Sequence, residues 1–446
     1  MNIKQFYRSH LDDFRSIFII AFPTIADLFV QTLLGFSDMV MVGRLGPTAI
    51  SSVGLGNAPM MTIMTVFFAI GTGTTAIMSR AFGSQNQEEG KSAMGQSIFL
   101  GIPLSLFVTI IFILFGKTIL TVIGTKEDMI NSIGYYNAVS LGLPMLCLNI
   151  IFAYGYRAIS QAKIPMVVNI LSVTLNILLN YIFIFTLNMG ILGAGIATTL
   201  ARGTVTIIYM YLTFFTSKYW LSIKFSALKY ERIMARRILK VGLPSAAEQS
   251  LFRIGMLIFE TMVIKLGNLE YAAHKIALTA ESFSFNIGFG FAVAGTALVG
   301  QRIGNKDYNG AENMAKLNAL LAVIVMSIFG LFFFFVPHLI ISMFTNDKDI
   351  FPLASRALKI VSIAQPFLAA SMVFSGVLRG AGDTRSVLLI TTIGMYLIRT
   401  PLTYLFLYVF SFGLIGAWVV MTIDLIYRSL AAYYRFKRGK WRYIEV

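Results

Sequence analysis

The sequence predicts an all-α membrane protein with twelve transmembrane helices in two six-helix bundles. Three observations carry this prediction. First, 57% of the 446 residues are hydrophobic, 13% are charged and the mean hydropathy is +0.76, which is too apolar for a soluble protein whose surface must be wetted. Second, apolar runs long enough for a helical span of ~20 residues recur along the chain. Third, the second half of the chain repeats landmarks of the first half.

The apolar runs give the elements in chain order. Breaks marked by glycine or proline, such as Gly46-Pro47 and Gly124, separate several neighbouring runs. The first run is longer than the apolar core of a signal peptide and lacks a small-residue cleavage site, so we predict that it is a retained span. The twelve predicted spans lie near residues 16–41, 51–79, 92–115, 133–154, 165–187, 191–215, 243–265, 276–299, 315–336, 357–378, 386–409 and 414–435.

Lysine and arginine residues concentrate in alternate gaps between these runs. One set of gaps holds the cluster from Lys218 to Lys240 and the tail from Arg435 to Arg442, whereas the other set holds isolated residues such as Lys117 and Lys348. By the positive-inside rule, both termini are expected on the cytoplasmic side of the inner membrane. The net charge of +16 is therefore explained by the positive residues on the cytoplasmic side of the membrane, and no nucleic-acid partner is expected.

An internal repeat relates the two halves of the chain. Because six spans separate the copies and six is even, both copies have the same orientation in the membrane. We predict a first lobe at 1–216, a basic cytoplasmic linker at 217–239 and a second lobe at 240–446, with a pseudo-twofold axis along the membrane normal. The landmarks are Pro23 with Pro244, Gly46 with Gly267 and Gly83 with Gly304, each 221 positions apart, and Pro144 with Pro366 and Arg157 with Arg379, each 222 apart.

The first span carries a polar stripe. Asp27, Gln31, Leu34 and Asp38 are spaced four, three and four apart, so they share one helical face. An ionisable side chain at membrane depth costs at least ~2.5–3.5 kcal/mol, so this face should meet a cavity or a partner instead of lipid. Both carboxylates are candidates for function, and a purely structural hydrogen-bonding role stays open for each. Pro23 removes a backbone hydrogen bond from the same helix, which predicts a hinge.

The fifth and sixth spans offer partners for Asp38. Asn169, Asn176 and Asn180 are seven and four apart and share one face, and the sixth span adds Thr198. Bare amides in a membrane need hydrogen-bonding partners. This face therefore lines a cavity or clasps a neighbouring helix. Asn149 on the fourth span is a further candidate for the cavity wall.

The second lobe has charged residues inside its own spans. Glu248 lies on the seventh span, Glu281 on the eighth and Arg399 on the eleventh. A buried ion pair between Arg399 and either acid is one interpretation, because paired charges are what burial demands. A second proton site is the other interpretation.

Several function classes find no support in the sequence. The three histidines are scattered and Cys147 is alone, so neither a metal site nor a disulfide is expected. A phosphate-binding G-x-x-x-x-G-K-[ST] loop is missing from the sequence, so an ion gradient must supply the energy. No convergent catalytic group indicates an enzyme. A channel is less consistent than a transporter with a parallel repeat and a proline-hinged, acid-bearing helix.

The stretch SDMVMVGRLG, which begins at Ser37, and LRGAGDT in the second half of the chain resemble the multidrug and toxic compound extrusion family, and the resemblance covers essentially the whole chain. It implies an outward-open cavity between the lobes and export of drug-like organic cations or amphipaths in exchange for protons or Na⁺. It also places Asp38 at the position of the coupling carboxylate and Pro23 at that of the bending proline. No cofactor is expected beyond the coupling ion, and we expect a monomer in the lipid bilayer.

The resemblance does not fix the branch of the family. In a DinF-like branch the fifth span carries Asn and then Asp, with a Thr eighteen residues later, whereas this chain has Asn176, Asn180 and Thr198. An acid typical of the tenth span of the NorM-like branch is missing between Gln365 and Arg379. Flipping of lipid-linked sugars, known in related exporters, is the alternative function, although such proteins tend to need a cationic cavity for pyrophosphate.

Overall fold

The computed structural model describes residues 11–216 and 220–446, apart from the side chains of residues 126–128 and 226. The predicted cytoplasmic N-terminal tail up to residue 10, and residues 217–219 of the predicted linker, lie outside the described residues. Within the described parts the chain forms helices and turns and contains no strand. The all-α prediction is therefore confirmed.

The helices follow the predicted spans closely. A π-helical turn at Tyr181–Thr186 continues α6, and a second one at Ile393–Arg399 joins α13 to α14. In chain order the helices are α1 (Leu11–Gly43), α2 (Pro47–Gly83), α3 (Gln87–Ile123), α4 (Lys126–Leu141), α5 (Leu143–Ala158), α6 (Lys163–Asn180), α7 (Gly190–Met210), α8 (Arg232–Ile264), α9 (Asn268–Gly304), α10 (Tyr308–Phe335), α11 (Pro337–Ile341), α12 (Ile350–Gly380), α13 (Thr384–Thr392), α14 (Thr400–Tyr404) and α15 (Gly413–Lys437).

Ten segments of the described chain are long and apolar enough to cross a membrane. Helices α4 and α5, bent by 46° at their junction, make an eleventh span if they are taken as one. The remaining predicted span is α8, which is 33 residues long but is made less apolar by Glu248 and Arg253. These helices correspond to the twelve predicted spans and confirm a multi-pass membrane protein.

Two compact units divide the described chain. The first unit is Ala26–Gly242, and the second unit is Leu243–Val446 together with the chain up to Ile25. The boundaries therefore fall inside α1 and α8 instead of in a loop. The domain limits predicted from the sequence, at 216 and 240, stay a prediction.

The internal repeat is visible in the backbone. Helices α1 and α8 both have 33 residues, and α2 and α9 both have 37. Asn86 caps α3 by accepting a hydrogen bond from the Glu89 amide, and Asp307, 221 positions later, caps α10 in the same way. Positive φ angles recur in pairs at Gly46 and Gly267 (108° and 131°), Gln85 and Lys306 (59° each), Asn188 and Ser411 (51° and 54°), and Gly190 and Gly413 (57° each).

Close contact between α9 and α12 forms the core of the second unit. A Cβ atom added at Gly376 would lie 2.4 Å from the Ala292 carbonyl oxygen, and one at Gly380 would lie 2.1 Å from that of Thr296. Small residues at this interface let the two backbones approach, as is common where membrane helices pack without a hydrophobic driving force.

Candidate coupling and substrate site

The amide face of α6 meets Asp38 in the first unit. The Asn180 side chain donates through Nδ2 to Asp38 Oδ1 at 2.6 Å and to Asn176 Oδ1 at 2.9 Å. Asn176 Nδ2 in turn donates to Thr198 Oγ1 at 3.3 Å, and that hydroxyl donates to the Ala194 carbonyl. The four predicted coupling residues thus form one connected network across α1, α6 and α7.

Asp38 only accepts hydrogen bonds in this network. Asn180 donates both to Asp38 and to Asn176, and Asn176 donates to Thr198. An acid that only accepts is suited to the ionised form of a carboxylate. Asn180 Oδ1 is buried and has no hydrogen-bond partner in the described chain. A buried oxygen without a donor is costly to leave unsatisfied. The site therefore has one vacant acceptor beside its acid.

Arg202 supplies positive charge near this acid. It lies one helical turn after Thr198 on α7 and interacts electrostatically with Asp38 and Tyr135. Arg202 forms no ion pair within 4.0 Å among the described residues, and its Nη1 is buried without a hydrogen-bond partner there. Asp38 also lacks an ion pair within the described chain. The two charges are therefore neighbours without being locked together.

Asp27 has a different environment from Asp38. Its side chain is fully buried and forms an ion pair with Arg157, at the end of α5. Asn169 donates to Asp27 Oδ1 at 2.7 Å, and Gln31 donates to the same oxygen at 3.2 Å. The contacts with Arg157 and Asn169 are made to neighbouring helices of the same unit. The contacts of Asp27 are those of a structural hydrogen-bonding residue, the interpretation left open from the sequence.

The remaining predicted residues of the first span and of the cavity wall are dispersed. Pro23 lies inside a continuous α1, Gln31 is exposed and Leu34 is half-buried. Asn149 does not join the Asp38 network. It donates to the Arg202 carbonyl at 3.1 Å and accepts from the Thr206 hydroxyl at 2.9 Å, so it clasps α5 to α7.

The second unit pairs its charges differently from the sequence-based hypothesis. Glu248 binds Arg379, at 2.6 and 3.1 Å, and accepts a third hydrogen bond from Thr391 at 3.2 Å. Arg399 pairs instead with Asp424, at 2.8 Å, and Asp424 also binds Arg428 at 2.8 Å. The predicted ion pair of Arg399 with Glu248 or Glu281 is therefore wrong: helix packing brings Asp424 nearer to Arg399 and Arg379 nearer to Glu248.

Glu281 faces a cavity within the second unit. The cavity has a volume of about 390 Å³ and a mostly apolar wall that includes Phe252, Met256 and Phe285. The Glu281 side chain is 8% exposed, and its carboxylate has no hydrogen bond or ion pair to the described residues. Arg399 exerts only a longer-range electrostatic effect on it. Glu281 is thus a buried acid without a direct counter-charge.

Sequence reasoning missed the partners of the two paired acids. Arg157 and Arg379 were recognised as repeat landmarks, but their roles were not assigned. The signal was present: Asp27 and Glu248 differ by 221 positions, the offset of the landmarks themselves. Among the described residues, no three acidic, histidine or cysteine side chains converge as ligands for a metal ion.

Comparison with known proteins gives consistent matches over nearly the whole chain. The family model MatE matches residues 23–182 and 244–405. A Thermotoga maritima protein described as "Probable multidrug resistance protein NorM" is 30% identical over 430 residues, which are 95% of this chain and 92% of that protein. A Photorhabdus laumondii protein with the same description is 26% identical and covers 95% of each chain.

The fold also matches solved structures. A structure described as "Crystal structure of MATE in the bent conformation" superposes with a TM-score of 0.91 over 97% of this chain and 96% of the other, at 23% identity. At that identity the likeness concerns the fold alone. The two matched segments of the family model begin at the repeat-related prolines Pro23 and Pro244.

Proposed function

Because this chain belongs to the MatE family, a family of membrane transporters and not of enzymes, we propose that it is a secondary active multidrug exporter. It extrudes cationic or amphipathic organic compounds in exchange for protons, by alternating access. The relatives described as multidrug resistance proteins support a drug-like small-molecule substrate. Lysine and arginine residues are concentrated in alternate gaps between the membrane spans, which supports an inner-membrane protein with both termini in the cytoplasm.

The hydrogen-bond network that ends on Asp38 is the observation that carries this proposal. An acid whose neighbours are neutral amides can gain a proton without breaking an ion pair, unlike Asp27. When Asp38 is protonated, its hydroxyl has an acceptor available in Asn180 Oδ1. Proton uptake thus rearranges bonds that already exist, which is what a reversible coupling site needs.

The charge balance explains how protonation expels a cation. With Asp38 ionised, its charge offsets that of Arg202, and an organic cation is attracted to the carboxylate. With Asp38 neutral, Arg202 is left as an unbalanced positive charge in the same site. Proton and cation therefore compete, and the repulsion from Arg202 assists release.

A proton fits the site better than Na⁺. Hard cations select several oxygen ligands, whereas Asn180 approaches Asp38 through its amide nitrogen at 2.6 Å. Exchange of one proton for one monovalent cation moves no net charge, so the membrane potential cancels and the pH gradient alone supplies the energy. That gradient gives ~1.4 kcal/mol per pH unit, which sustains about a tenfold concentration gradient of the cation per unit.

The deciding experiment compares wild-type protein with Asp38→Asn in proteoliposomes, using uptake of ethidium driven by a pH gradient or by a Na⁺ gradient. The substitution keeps the side-chain shape and removes titration. We expect wild-type transport with the pH gradient alone and no gradient-driven transport by Asp38→Asn, with the folded yield unchanged.

The matched control is Asp349→Asn, an exposed acid at the start of α12, which should transport like the wild type. Sustained uphill transport by Asp38→Asn would remove this residue from the coupling mechanism. Strict dependence on Na⁺ with no response to pH would contradict proton coupling and shift attention to Glu281.

A further inference from the structure

The chain passes between its two units at two points. These crossings, in the described chain, lie between Ile25 and Ala26 within α1 and between Gly242 and Leu243 within α8. The first crossing lies after Ile25, two residues past Pro23, and the second lies before Leu243, which directly precedes Pro244; both prolines are inside their helices. An interior proline removes a backbone hydrogen bond and lets the helix bend there. Movement of one unit against the other must be accommodated at these crossings, because the peptide chain is continuous through both.

The acid of a buried ion pair lies within six residues after each crossing, Asp27 after the first and Glu248 after the second. In the first unit, Asp27 is bound by Arg157 and by Asn169 Nδ2 at 2.7 Å. These three residues lie on α1, on the last turn of α5 and on α6. The bonds therefore tie the part of α1 that follows Pro23 to two other helices of the same unit.

The second unit contains the same arrangement. Glu248 is bound by Arg379 at 2.6 and 3.1 Å and by the Thr391 hydroxyl at 3.2 Å. Counted from Asp27, Arg157 and Asn169, these residues lie 221, 222 and 222 positions later, the offsets of the repeat. Each acid also lies four residues after its proline. We call the two sets the anchor triads.

The chemistry of the anchor triads is preserved although the residue types differ. Glutamate replaces aspartate and threonine replaces asparagine, so a longer acid meets a shorter donor. The guanidinium is unchanged and sits in the last turn of its helix in both units. What both units retain is a carboxylate with one arginine and one neutral donor.

The coupling network around Asp38 is not duplicated in this way. The residues 221 and 222 positions after Asp38 are Phe259 and Glu260, and Glu260 pairs with Lys275. A network present in one unit only, such as that of Asp38, is suited to a function of that unit alone, such as ion coupling. The anchor triads are present in both units, near both chain crossings, and are suited to a function common to both crossings.

Stability alone is a poor reason to keep these pairs. Replacing a buried ion pair by apolar residues of similar volume is often neutral or stabilising, because desolvation offsets most of the attraction. Directional bonds from two helices do something that apolar packing does less well: they fix the rotation and the register of the bound segment.

We propose that the anchor triads position the two hinge helices, fixing the segment after each proline to its own unit so that all bending occurs at the proline. The inference rests on the proposed alternating-access exporter. Asp27 and Arg157 are positioning residues outside the Asp38 network; Glu248 and Arg379 position α8 and also line the cavity that contains Glu281, so the first-unit pair gives the cleaner test. Without the anchors, the helix slips against its unit, and protonation of Asp38 no longer drives the transition of the whole transporter.

The test replaces each pair by apolar residues of similar size, Asp27→Leu/Arg157→Met and Glu248→Leu/Arg379→Met, in full-length protein reconstituted into liposomes. Three quantities are measured: ethidium binding, ethidium accumulation under a fixed pH gradient, and proton flux without ethidium. For both variants we expect a fall in accumulation of about tenfold and a rise in the proton leak, and for Asp27→Leu/Arg157→Met, whose residues lie outside the Glu281 cavity, an unchanged binding affinity.

Two further variants make the outcome decisive. Arg157→Lys and Arg379→Lys keep the charge and lose the planar, directional donor geometry, so they should fold even if the apolar variants do not, and should show a smaller loss of accumulation with a measurable proton leak. The surface ion pair of the exposed Glu88 with the half-buried Lys91, replaced as Glu88→Leu/Lys91→Met, is the control and should behave like the wild type.

The outcomes separate this inference from the proposed function. Folded anchor variants with wild-type accumulation and no leak would reduce the triads to packing and overturn the inference, as would an equal leak in the control pair. If the wild type itself accumulates no ethidium under either gradient, the exporter function fails instead. Loss of coupling in the anchor variants alone supports the positioning role.

Discussion

At the scale of single residues, two acids on one helix have opposite surroundings. Asp27 and Asp38 share a face of α1, yet Asp27 is fully buried against Arg157 while Asp38 meets the neutral amide of Asn180. A carboxylate held by a guanidinium would break an ion pair on protonation, whereas one held by an amide would not. The polar stripe of α1 therefore contains one acid in an ion pair and one acid that, within the described chain, is bound only by an amide.

Removal of the amide donor tests this distinction. Asn180→Ala should move the midpoint of the pH dependence of ethidium transport to higher pH, because the ionised form of Asp38 loses its 2.6 Å hydrogen bond. Transport rates measured across a series of external pH values report the shift. Thr174→Ala, at an exposed position of the same helix, is the control. An unchanged midpoint in Asn180→Ala would mean that this face of α6 only packs.

Loss of Asp424 tests the charge balance of the second unit. Asp424 is shared by Arg399 and Arg428, so Asp424→Asn leaves two buried guanidinium groups without a counter-charge. We expect destabilisation of about 3–5 kcal/mol, observed as earlier thermal unfolding of the purified protein in detergent. The exposed Asp349→Asn variant should unfold with the wild type. Equal unfolding temperatures for both variants would show that Glu281 or lipid compensates.

At the scale of elements, α1 carries the proposed hinge proline, the acid of the first anchor triad and the proposed coupling acid along one continuous helix. Pro23 precedes Asp27 by four residues, and Asp38 follows eleven residues later. A helical segment that is fixed just after a bend can move as a rigid body. Protonation of Asp38 would therefore act on the proposed hinge at Pro23 along the three helical turns that separate Asp38 from Asp27.

Pro23→Ala should therefore slow transport without abolishing binding. Alanine restores the missing backbone hydrogen bond and stiffens α1 at the crossing between units. We expect a lower maximal rate of ethidium transport and an unchanged binding affinity. Pro103→Ala, an exposed proline inside α3, provides the matched control. A wild-type rate in Pro23→Ala would exclude a hinge at this residue.

At the scale of the whole molecule, the repeat explains where the two halves agree and where they differ. Helix lengths, caps, positive φ angles and the anchor triads recur in both units. The acid-and-amide network belongs to the first unit, and the Glu281 cavity belongs to the second. Shared features maintain the scaffold, and unshared features are the candidates for ion and drug recognition.

The membrane topology is testable because the single cysteine is buried. Cys147 is 0% exposed, so a membrane-impermeant maleimide should leave the wild type unlabelled. We expect Lys117→Cys and Lys348→Cys, both exposed positions, to be labelled in intact cells. Lys440→Cys should be labelled only after the cells are opened. Labelling of Lys440→Cys from outside would reverse the predicted orientation.

The sequence by itself determined the membrane class, the spans and the repeat, because hydropathy, helical period and a constant offset are properties of the linear chain. Spacing also placed Asp38 on one helical face and Asn176 and Asn180 on another, and the resemblance to the family added Thr198 to the same candidate site. Their mutual contacts agree with that grouping.

Only the tertiary structure decided which charges pair. Asp27 lies 130 positions from Arg157, and Glu248 lies 131 from Arg379. Such partners depend on which helices pack together and at what rotation, and neither hydropathy nor spacing specifies that. The sequence hypothesis joined Arg399 to an acid of the seventh or eighth span, whereas packing joined it to Asp424. A buried charge must have a partner, but it is the geometry of packing that selects the partner.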